Sequence, residues 1–281
     1  MRLKPKLILT NLSLALMLVI SPIAQSKLLP KPATNASQLA ANRYDSSNAI
    51  FHPVYGKNGM VASEQGLATQ VGLDILKQGG NAIDAAVAVG FALAVVLPNA
   101  GNIGGGGFMV LHDDKTGKDV AIDFREIAPA KASRDMYLDN QGNVIDGKSL
   151  FTHDASGVPG TVAGMEYALK KWGTMPLSKV LEPAIKLADK GFIVSDVLAQ
   201  TLKEEKSTLG KWSSSKAIFF KNGEPLKSGD LLVQKDLAKS LRLIAKQGAK
   251  AFYQGEIATK IAKEMQSHGG TMTLEDLKAY K

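Results

Sequence analysis

The stretch GGNAIDAAVAVGFALAVVLPNAGNIGGGGFMV, residues 79–110, decides the fold. Asn81 predicts a helix N-cap, and residues 82–97 follow it as a run that is apolar on nearly every side except at Asp84. A helix that is apolar all round must be buried in protein or in lipid. This one is shorter than the roughly 20 residues that cross a bilayer, so we expect it in a protein core.

A glycine-rich loop, NAGNIGGGG at residues 99–107, follows that helix. A phosphate-binding loop follows a strand and opens a helix, so that the helix N-terminus faces the anion. Here the helix comes first and a strand comes after, which disfavours nucleotide binding. We expect instead a loop whose backbone passes close to another segment or a ligand, as only glycine allows.

Upstream of the buried helix, the apolar run Gly59–Ala62 predicts a first strand, with Ser63 as the cap of the helix after it. In that helix Leu67, Val71 and Ile75 repeat every four residues and form one apolar face.

Downstream, two strands at 108–112 and 120–125 are joined by a polar turn and predict a hairpin. The rest of the chain has helical periodicity and capping signals, which predict helices at 161–172, 174–191, 196–205, 235–247 and 255–268 and a capping box at 273–276. This order predicts a mixed α+β layered fold whose sheet is incomplete within these residues.

The N-terminus predicts a secretory signal at residues 1–26: three basic residues, an apolar run at 7–20 and small residues around 24–26. A membrane anchor is the alternative, but the run is short and Pro22 follows it. Residues 27–48 read as an extended tether, and residues 49–281 as the folded portion. The expected location is therefore outside the cytoplasm.

Composition narrows the possible chemistry. The 281 residues are 45% hydrophobic and 21% charged, which is ordinary for a globular chain. Removing the signal lowers the net charge from +8 to +5, without a block of like charges, so nucleic-acid binding is not expected. The chain has no cysteine, which excludes disulfides, thiol nucleophiles and Cys-based zinc sites.

Short patterns of penicillin-recognising serine enzymes occur at Ser46–Asn48, Lys115–Gly117 and Ser213–Lys216. Their order is permuted from the usual one, and the second lies in the hairpin turn, so we do not assign this function. No G-x-S-x-G nucleophile elbow is present. The histidines show no ligand spacing, so no metal site and no cofactor are predicted; they are His52, His112, His153 and His268.

Arg125 is the candidate binding residue. Strand alternation turns the apolar side chains of 120–124 to one face and Asp123 with Arg125 to the other. A guanidinium at a strand end could hold a substrate carboxylate through two parallel hydrogen bonds. A structural ion pair with Asp123 or Glu126 is the alternative, and the local sequence alone favours it.

Four segments together closely resemble the large subunit of bacterial γ-glutamyltransferases, also called glutathione hydrolases. They are GMVAS at 59–63, residues 79–110, AIDFREIAPAKASRDMYLD at 121–139 and SGVPGTVAGMEYALKKWGTMPL at 156–177. The resemblance implies a four-layer αββα N-terminal nucleophile hydrolase fold and a periplasmic precursor that cuts itself into two subunits. It also implies γ-glutamyl transfer from glutathione and related compounds to water, an amino acid or a peptide.

In that family the new N-terminal Thr of the small subunit is the nucleophile, and its own α-amine is the base. The resemblance implies that this Thr lies beyond the 281 residues, that Thr161 does not replace it, and that the chain alone is inactive. It also implies that Arg125, in Phe124-Arg125-Glu126, binds the α-carboxylate of the γ-glutamyl group. The expected partners are that substrate, the small subunit and the rest of the large subunit, with no nucleic acid and no membrane anchor after signal cleavage. A truncated, non-catalytic secreted relative that binds glutamyl ligands or a partner is the alternative.

Overall fold

The computed structural model describes residues 55–281. The predicted signal at 1–26, the tether at 27–48, His52 and the pattern Ser46–Asn48 lie outside the described residues. We number helices and strands in chain order.

The helices are α1 (Gly66–Lys77), α2 (Ala82–Val96), α3 (Lys148–Phe151), α4 (Thr161–Trp172), α5 (Leu177–Lys190), α6 (Asp196–Glu204), α7 (Lys206–Leu209), α8 (Ser213–Phe219), α9 (Lys235–Gln247), α10 (Ala249–Tyr253), α11 (Glu256–Ser267) and α12 (Leu274–Ala279). The strands are β1 (Phe108–Asp113), β2 (Lys118–Asp123), β3 (Phe192–Ile193), β4 (Phe220–Lys221), β5 (Glu224–Pro225) and β6 (Leu231–Leu232). They pair antiparallel as β1–β2, β3–β6 and β4–β5. A 3-10 turn, His153–Ala155, follows α3.

Helix α2 is the centre of the core, as its apolar sequence predicts. It packs against α1, α4 and α5, and α9 packs against α5. Val87, Phe91 and Val95 are fully or almost fully buried. The buried Gln234 amide donates to the Val95 carbonyl at 2.8 Å. None of the helices among residues 55–281 is both long enough and apolar enough to cross a membrane.

The buried carboxylate of Asp84 fixes the start of α2 to the loop between α4 and α5. It accepts the Asn81 amide at 2.8 Å, completing a capping box, and the amides of Thr174 and Met175 at 2.9 and 3.0 Å. The Thr174 hydroxyl donates to it at 2.6 Å. Burial by itself raises the pKa of Asp84, but these hydrogen bonds outweigh it and hold the pKa below its ordinary value.

The predicted hairpin is confirmed. Met109 pairs with Ile122, and Leu111 pairs with Val120, on the face that packs against the core. The opposite face carries Phe108 and Val110, which are 65% and 79% exposed. The hairpin therefore buries one face and leaves the other uncovered within the described residues.

One predicted strand and one predicted cap are wrong. Gly59–Ala62 forms no strand, because no segment among residues 55–281 pairs with its backbone. Helix α1 is capped by Gln65, whose side chain accepts the first free amides of the helix. Ser63, two residues before this N-cap, instead forms a hydrogen bond of 2.7 Å with the Thr69 hydroxyl.

Candidate functional site

Arg125 lies just past the end of β2, where the sequence predicts it. The alternation is as expected: Ile122 and Phe124 are buried, whereas Asp123 and Arg125 are exposed. The Arg125 amide donates to the Asp123 carboxylate at 2.9 Å, which fixes the backbone as it leaves the strand. The guanidinium therefore projects from the uncovered face of the hairpin.

The Arg125 side chain forms an ion pair with its neighbour Glu126. Its Nε lies 3.1 Å from Oε2 of Glu126, the ion pair considered as the alternative role. That contact lacks hydrogen-bond geometry, and Glu126 Oε2 is buried without a hydrogen-bond partner among the described residues. The guanidinium carbon lies 5.9 Å from the centroid of the Phe108 ring. The ring and Glu126 orient the guanidinium, while its hydrogen-bond donors stay unused by residues 55–281.

The glycine loop supports this strand end from behind. A Cβ added to Gly106 would lie 2.5 Å from the Phe124 carbonyl oxygen and 2.8 Å from the Arg125 Cα. Gly107 exchanges backbone hydrogen bonds of 3.0 and 3.3 Å with Phe124 and so extends the hairpin ladder. The predicted close backbone approach is confirmed. It is the approach of the loop to the segment that carries Arg125.

Asn102 ties the glycine loop to the start of α4. Its side-chain oxygen accepts the Gly105 amide at 2.7 Å and the Thr161 hydroxyl at 2.8 Å. The Gly105 carbonyl in turn accepts the amides of Gly160 and Thr161. Thr161 is buried and its hydroxyl is engaged, so it has the environment of a structural residue rather than of a free nucleophile.

Two tyrosines, which the sequence analysis did not identify, complete the support. The Tyr280 hydroxyl donates to the Arg125 carbonyl at 2.7 Å, and its ring stacks on Tyr253 at 5.5 Å. The Tyr253 hydroxyl donates to the Pro159 carbonyl at 2.8 Å. No local pattern identifies these residues, because both act across long stretches of sequence.

Both tyrosine hydroxyls have raised pKa values, which suits their role as hydrogen-bond donors. Burial raises the pKa of Tyr280, and the negative charges of Asp123 and Glu126 raise it further. Burial likewise raises the pKa of Tyr253. Both hydroxyls therefore remain protonated at neutral pH and can donate to the carbonyls that they meet.

A cavity of about 410 Å³ lies beneath β2, between the hairpin and α4. Phe124, Gly164 and Tyr280 are among the residues that line it, and its walls are mostly apolar. Asp123 also lines this cavity, whereas Arg125 does not.

The remaining sequence candidates fall elsewhere. Lys115–Gly117 forms the turn of the hairpin and Ser213–Lys216 opens α8, so these two patterns lie on separate elements. His112 is exposed and pairs with Asp119 on the hairpin at 2.8 Å. His153 and His268, by contrast, are stacked with ring centroids 4.7 Å apart.

Comparisons with known proteins agree in pointing to one family. A family model described as gamma-glutamyltranspeptidase matches residues 68–281. A glutathione hydrolase proenzyme of Escherichia coli (strain K12) is 62% identical over 239 residues, which are 85% of this chain and 41% of that protein. One of Pseudomonas sp. (strain A14) is 50% identical over 251 residues, or 88% of this chain and 43% of that protein. The chain thus spans about two fifths of the length of these curated relatives.

Solved structures give the same result for the fold. The crystal structure of Helicobacter pylori gamma-glutamyltranspeptidase superposes with a TM-score of 0.80 and 54% identity, over 82% of this chain and 66% of that one. This similarity confirms the predicted α+β fold of the αββα N-terminal nucleophile hydrolase class, of which the chain carries a part.

Proposed function

Because the chain belongs to the γ-glutamyltranspeptidase family, we propose that it forms the substrate-holding part of an enzyme that hydrolyses or transfers γ-glutamyl groups. The substrates are glutathione and related γ-glutamyl compounds, and the acceptor is water, an amino acid or a peptide. The relatives carry the name glutathione hydrolase, which supports this substrate class.

Arg125 carries the proposal. Its guanidinium is 62% exposed, keeps its hydrogen-bond donors unused among residues 55–281, and is held by a backbone that Asp123 and Tyr280 fix on both sides. We propose that it binds the α-carboxylate of the γ-glutamyl group through two parallel hydrogen bonds. A fixed backbone lowers the entropy lost when the carboxylate binds, because less of the chain has to be ordered at that moment.

In the proposed enzyme, the nucleophile is supplied by residues that lie beyond this chain. A Thr hydroxyl attacks the γ-glutamyl carbonyl carbon, its proton passes to the α-amine of the same Thr, and the amide bond of the substrate breaks. The leaving amine takes the proton, and the glutamyl ester is then resolved by water or by an amine acceptor. The chain alone therefore binds γ-glutamyl compounds without turning them over.

The exposed face of the hairpin supports a missing partner. Phe108 and Val110 lie uncovered beside Arg125 on the same face. Exposed neighbouring apolar side chains of this kind mark surfaces that another segment covers. We propose that the small subunit and the remainder of the large subunit cover this face and complete the site, in the periplasm, after residues 1–26 are removed.

The first test reads the gene beyond the Lys281 codon, where a frame encoding the rest of the fold is expected. The second measures release of chromophore from a γ-glutamyl anilide by the complete precursor. Arg125→Ala is expected to raise KM about 100-fold, the equivalent of about 3 kcal/mol of lost carboxylate binding. Arg125→Lys is expected to recover part of this lost carboxylate binding, since Lys keeps the charge but lacks the planar fork of hydrogen-bond donors.

Arg134→Ala is the matched control, because Arg134 is 90% exposed and pairs only with its neighbour Asp135 among the described residues. Subunit cleavage is checked on a denaturing gel, so that a processing defect is not read as a binding defect. An unchanged KM in Arg125→Ala would refute the role of this residue.

The alternative is a secreted, non-catalytic protein that binds glutamyl ligands. The observation that favours it is that this chain carries Arg125, a candidate for carboxylate binding, whereas we propose that the nucleophile lies beyond the chain. Both proposals expect the purified 281-residue chain to bind a γ-glutamyl compound in calorimetry without releasing the anilide chromophore, so the absence of a downstream frame is the result that would favour the alternative. Release of chromophore by this chain alone, abolished in Arg125→Ala, would exclude the alternative.

A further inference from the structure

The fold brings together three side chains of types that bind metals, His153, Glu264 and His268. His153 lies in the 3-10 turn, while Glu264 is in α11 and His268 follows its end. His153 Nε2 lies 3.5 Å, and His268 Nδ1 lies 3.2 Å, from the same oxygen, Oε1 of Glu264. One ligand atom from each residue can be chosen so that all three lie within 4.8 Å of one another. The sequence does not indicate this cluster, because the two histidines lie far apart in the chain.

Packing holds His153 firmly. Its side chain is only 18% exposed, and the Trp212 ring meets it edge-on with centroids 5.8 Å apart. A Cβ added to Gly270 would lie 2.8 Å from the His153 Cβ, so only a glycine there lets the two segments approach this closely. Gly269 has φ +73 and turns the chain after α11, which leaves His268 stacked over His153.

His268 Nδ1 lies 3.1 Å from the main-chain carbonyl oxygen of Glu264 as well, so this ring meets both the backbone and the side chain of that residue. A single carboxylate thus faces two imidazole rings, which are stacked with their centroids 4.7 Å apart. Imidazole nitrogens are the commonest metal ligands that protein side chains supply. The separations of 3.2 and 3.5 Å also match the spacing of about 3.3 Å between ligand atoms of a tetrahedral zinc ion with bonds of about 2.0 to 2.1 Å.

We propose that His153, Glu264 and His268 form a binding site for a divalent transition metal of the zinc type. Two imidazole nitrogens and one carboxylate oxygen are a donor set that Zn²⁺ accepts, with water in the fourth position. Glu264 and His268 are 62% and 46% exposed, so the ion enters from solvent and their side chains rotate to close the site on the firmly held His153. The bound ion joins the 3-10 turn to the end of α11 and stabilises the folded chain.

The test uses the whole 281-residue chain without a histidine tag, stripped with chelator. Titration with ZnCl₂ in a calorimeter is expected to give one saturable site and to raise the thermal midpoint by several degrees. CoCl₂ is expected to produce the visible absorption of tetrahedral cobalt, and CuCl₂ to quench Trp212. Trp212→Phe removes that quenching while leaving Trp172 as the internal reference.

His268→Ala and Glu264→Gln are expected to weaken Zn²⁺ binding about tenfold or more. Both side chains are exposed, so neither variant endangers folding as His153→Ala could. His112→Ala is the matched control, because His112 is an exposed histidine with a carboxylate neighbour on the hairpin. The proposal is overturned if the chain shows no saturable Zn²⁺ binding, or if His268→Ala binds as tightly as His112→Ala.

Discussion

The hydroxyl of Tyr280 donates a hydrogen bond of 2.7 Å to the main-chain carbonyl of Arg125, across 155 residues of sequence. Tyr280 is itself braced by stacking on Tyr253, whose hydroxyl holds the Pro159 carbonyl. The last described helix is thus linked to the strand end that carries the proposed carboxylate-binding side chain. This makes Tyr280 a positioning residue for Arg125.

Tyr280→Phe is expected to lower the stability of the chain by about 1 kcal/mol, because it removes one hydrogen bond and keeps the ring stacking. In the complete enzyme it should raise KM for a γ-glutamyl anilide a few-fold with little change in kcat, since the backbone of Arg125 loses a support. Tyr167→Phe is the control: its hydroxyl contacts only exposed Lys171 among the described residues. A stability loss with KM unchanged would limit Tyr280 to a structural role.

The sequence identifies those parts of the fold and site that depend on local pattern. The apolar run and Asn81 predict α2, alternation predicts the hairpin, and the strand end draws attention to Arg125. These features follow from the side-chain period of 3.6 residues in helices and 2 residues in strands, and from helix capping. Residues that are close in sequence determine all of them.

The rest depends on contacts between distant segments. Tyr280 reaches Arg125 only after α4, α10 and α12 pack together, and no short pattern encodes that distance. The strand predicted at Gly59–Ala62 is absent for a related reason. An apolar run forms a strand only if a partner backbone is available to pair with it.

Asp84→Asn is expected to reduce the free energy of unfolding by about 2–4 kcal/mol. The change removes the charge that four donors share and places an amide N–H₂ opposite at least one of them in a fully buried site. Urea denaturation followed by circular dichroism measures the loss. Asp74→Asn is the control, because its side chain is half exposed and lies beside Lys77 on the surface. A cost no larger than that of Asp74→Asn would contradict the role of Asp84.

Acid should destabilise the chain through Asp84 and Asp276. Burial by itself raises the pKa of Asp276, but hydrogen bonds from Ala130 and Thr273 outweigh it and lower the pKa, as at Asp84. A carboxylate with a lowered folded-state pKa binds fewer protons in the folded than in the unfolded chain. Its stabilising contribution is therefore complete above the ordinary Asp value of about 4 and is lost as the pH falls through the folded-state pKa.

Thermal midpoints measured from pH 7 down to pH 2 are expected to decrease once the pH falls below the ordinary Asp pKa of about 4. The decline should be shallower in Asp276→Asn, whose residue 276 no longer titrates, than in the Asp74→Asn control. Identical acid slopes in the two variants would show that Asp276 does not contribute to the pH dependence.

Two glycines of the same loop provide the sharpest test of the packing behind Arg125. A Cβ at Gly106 would meet the backbone of Phe124–Glu126 at 2.5 to 2.8 Å, where no side chain can move aside, whereas a Cβ at Gly104 would have no atom within 4 Å. Gly106→Ala must therefore displace the strand end itself.

Gly106→Ala is expected to cost about 1–3 kcal/mol of unfolding free energy, the usual cost of overpacking, and to raise KM for the γ-glutamyl anilide in the complete enzyme because Arg125 moves with its backbone. Gly104→Ala adds the same methyl group two residues earlier in the chain, in open space, and should change stability by no more than about 0.5 kcal/mol with KM unaltered. Urea melts and anilide kinetics on both variants measure the difference. If the two variants behaved alike, the loop would be a pliable connection and the close approach of Gly106 to Phe124–Glu126 would have no part in holding Arg125.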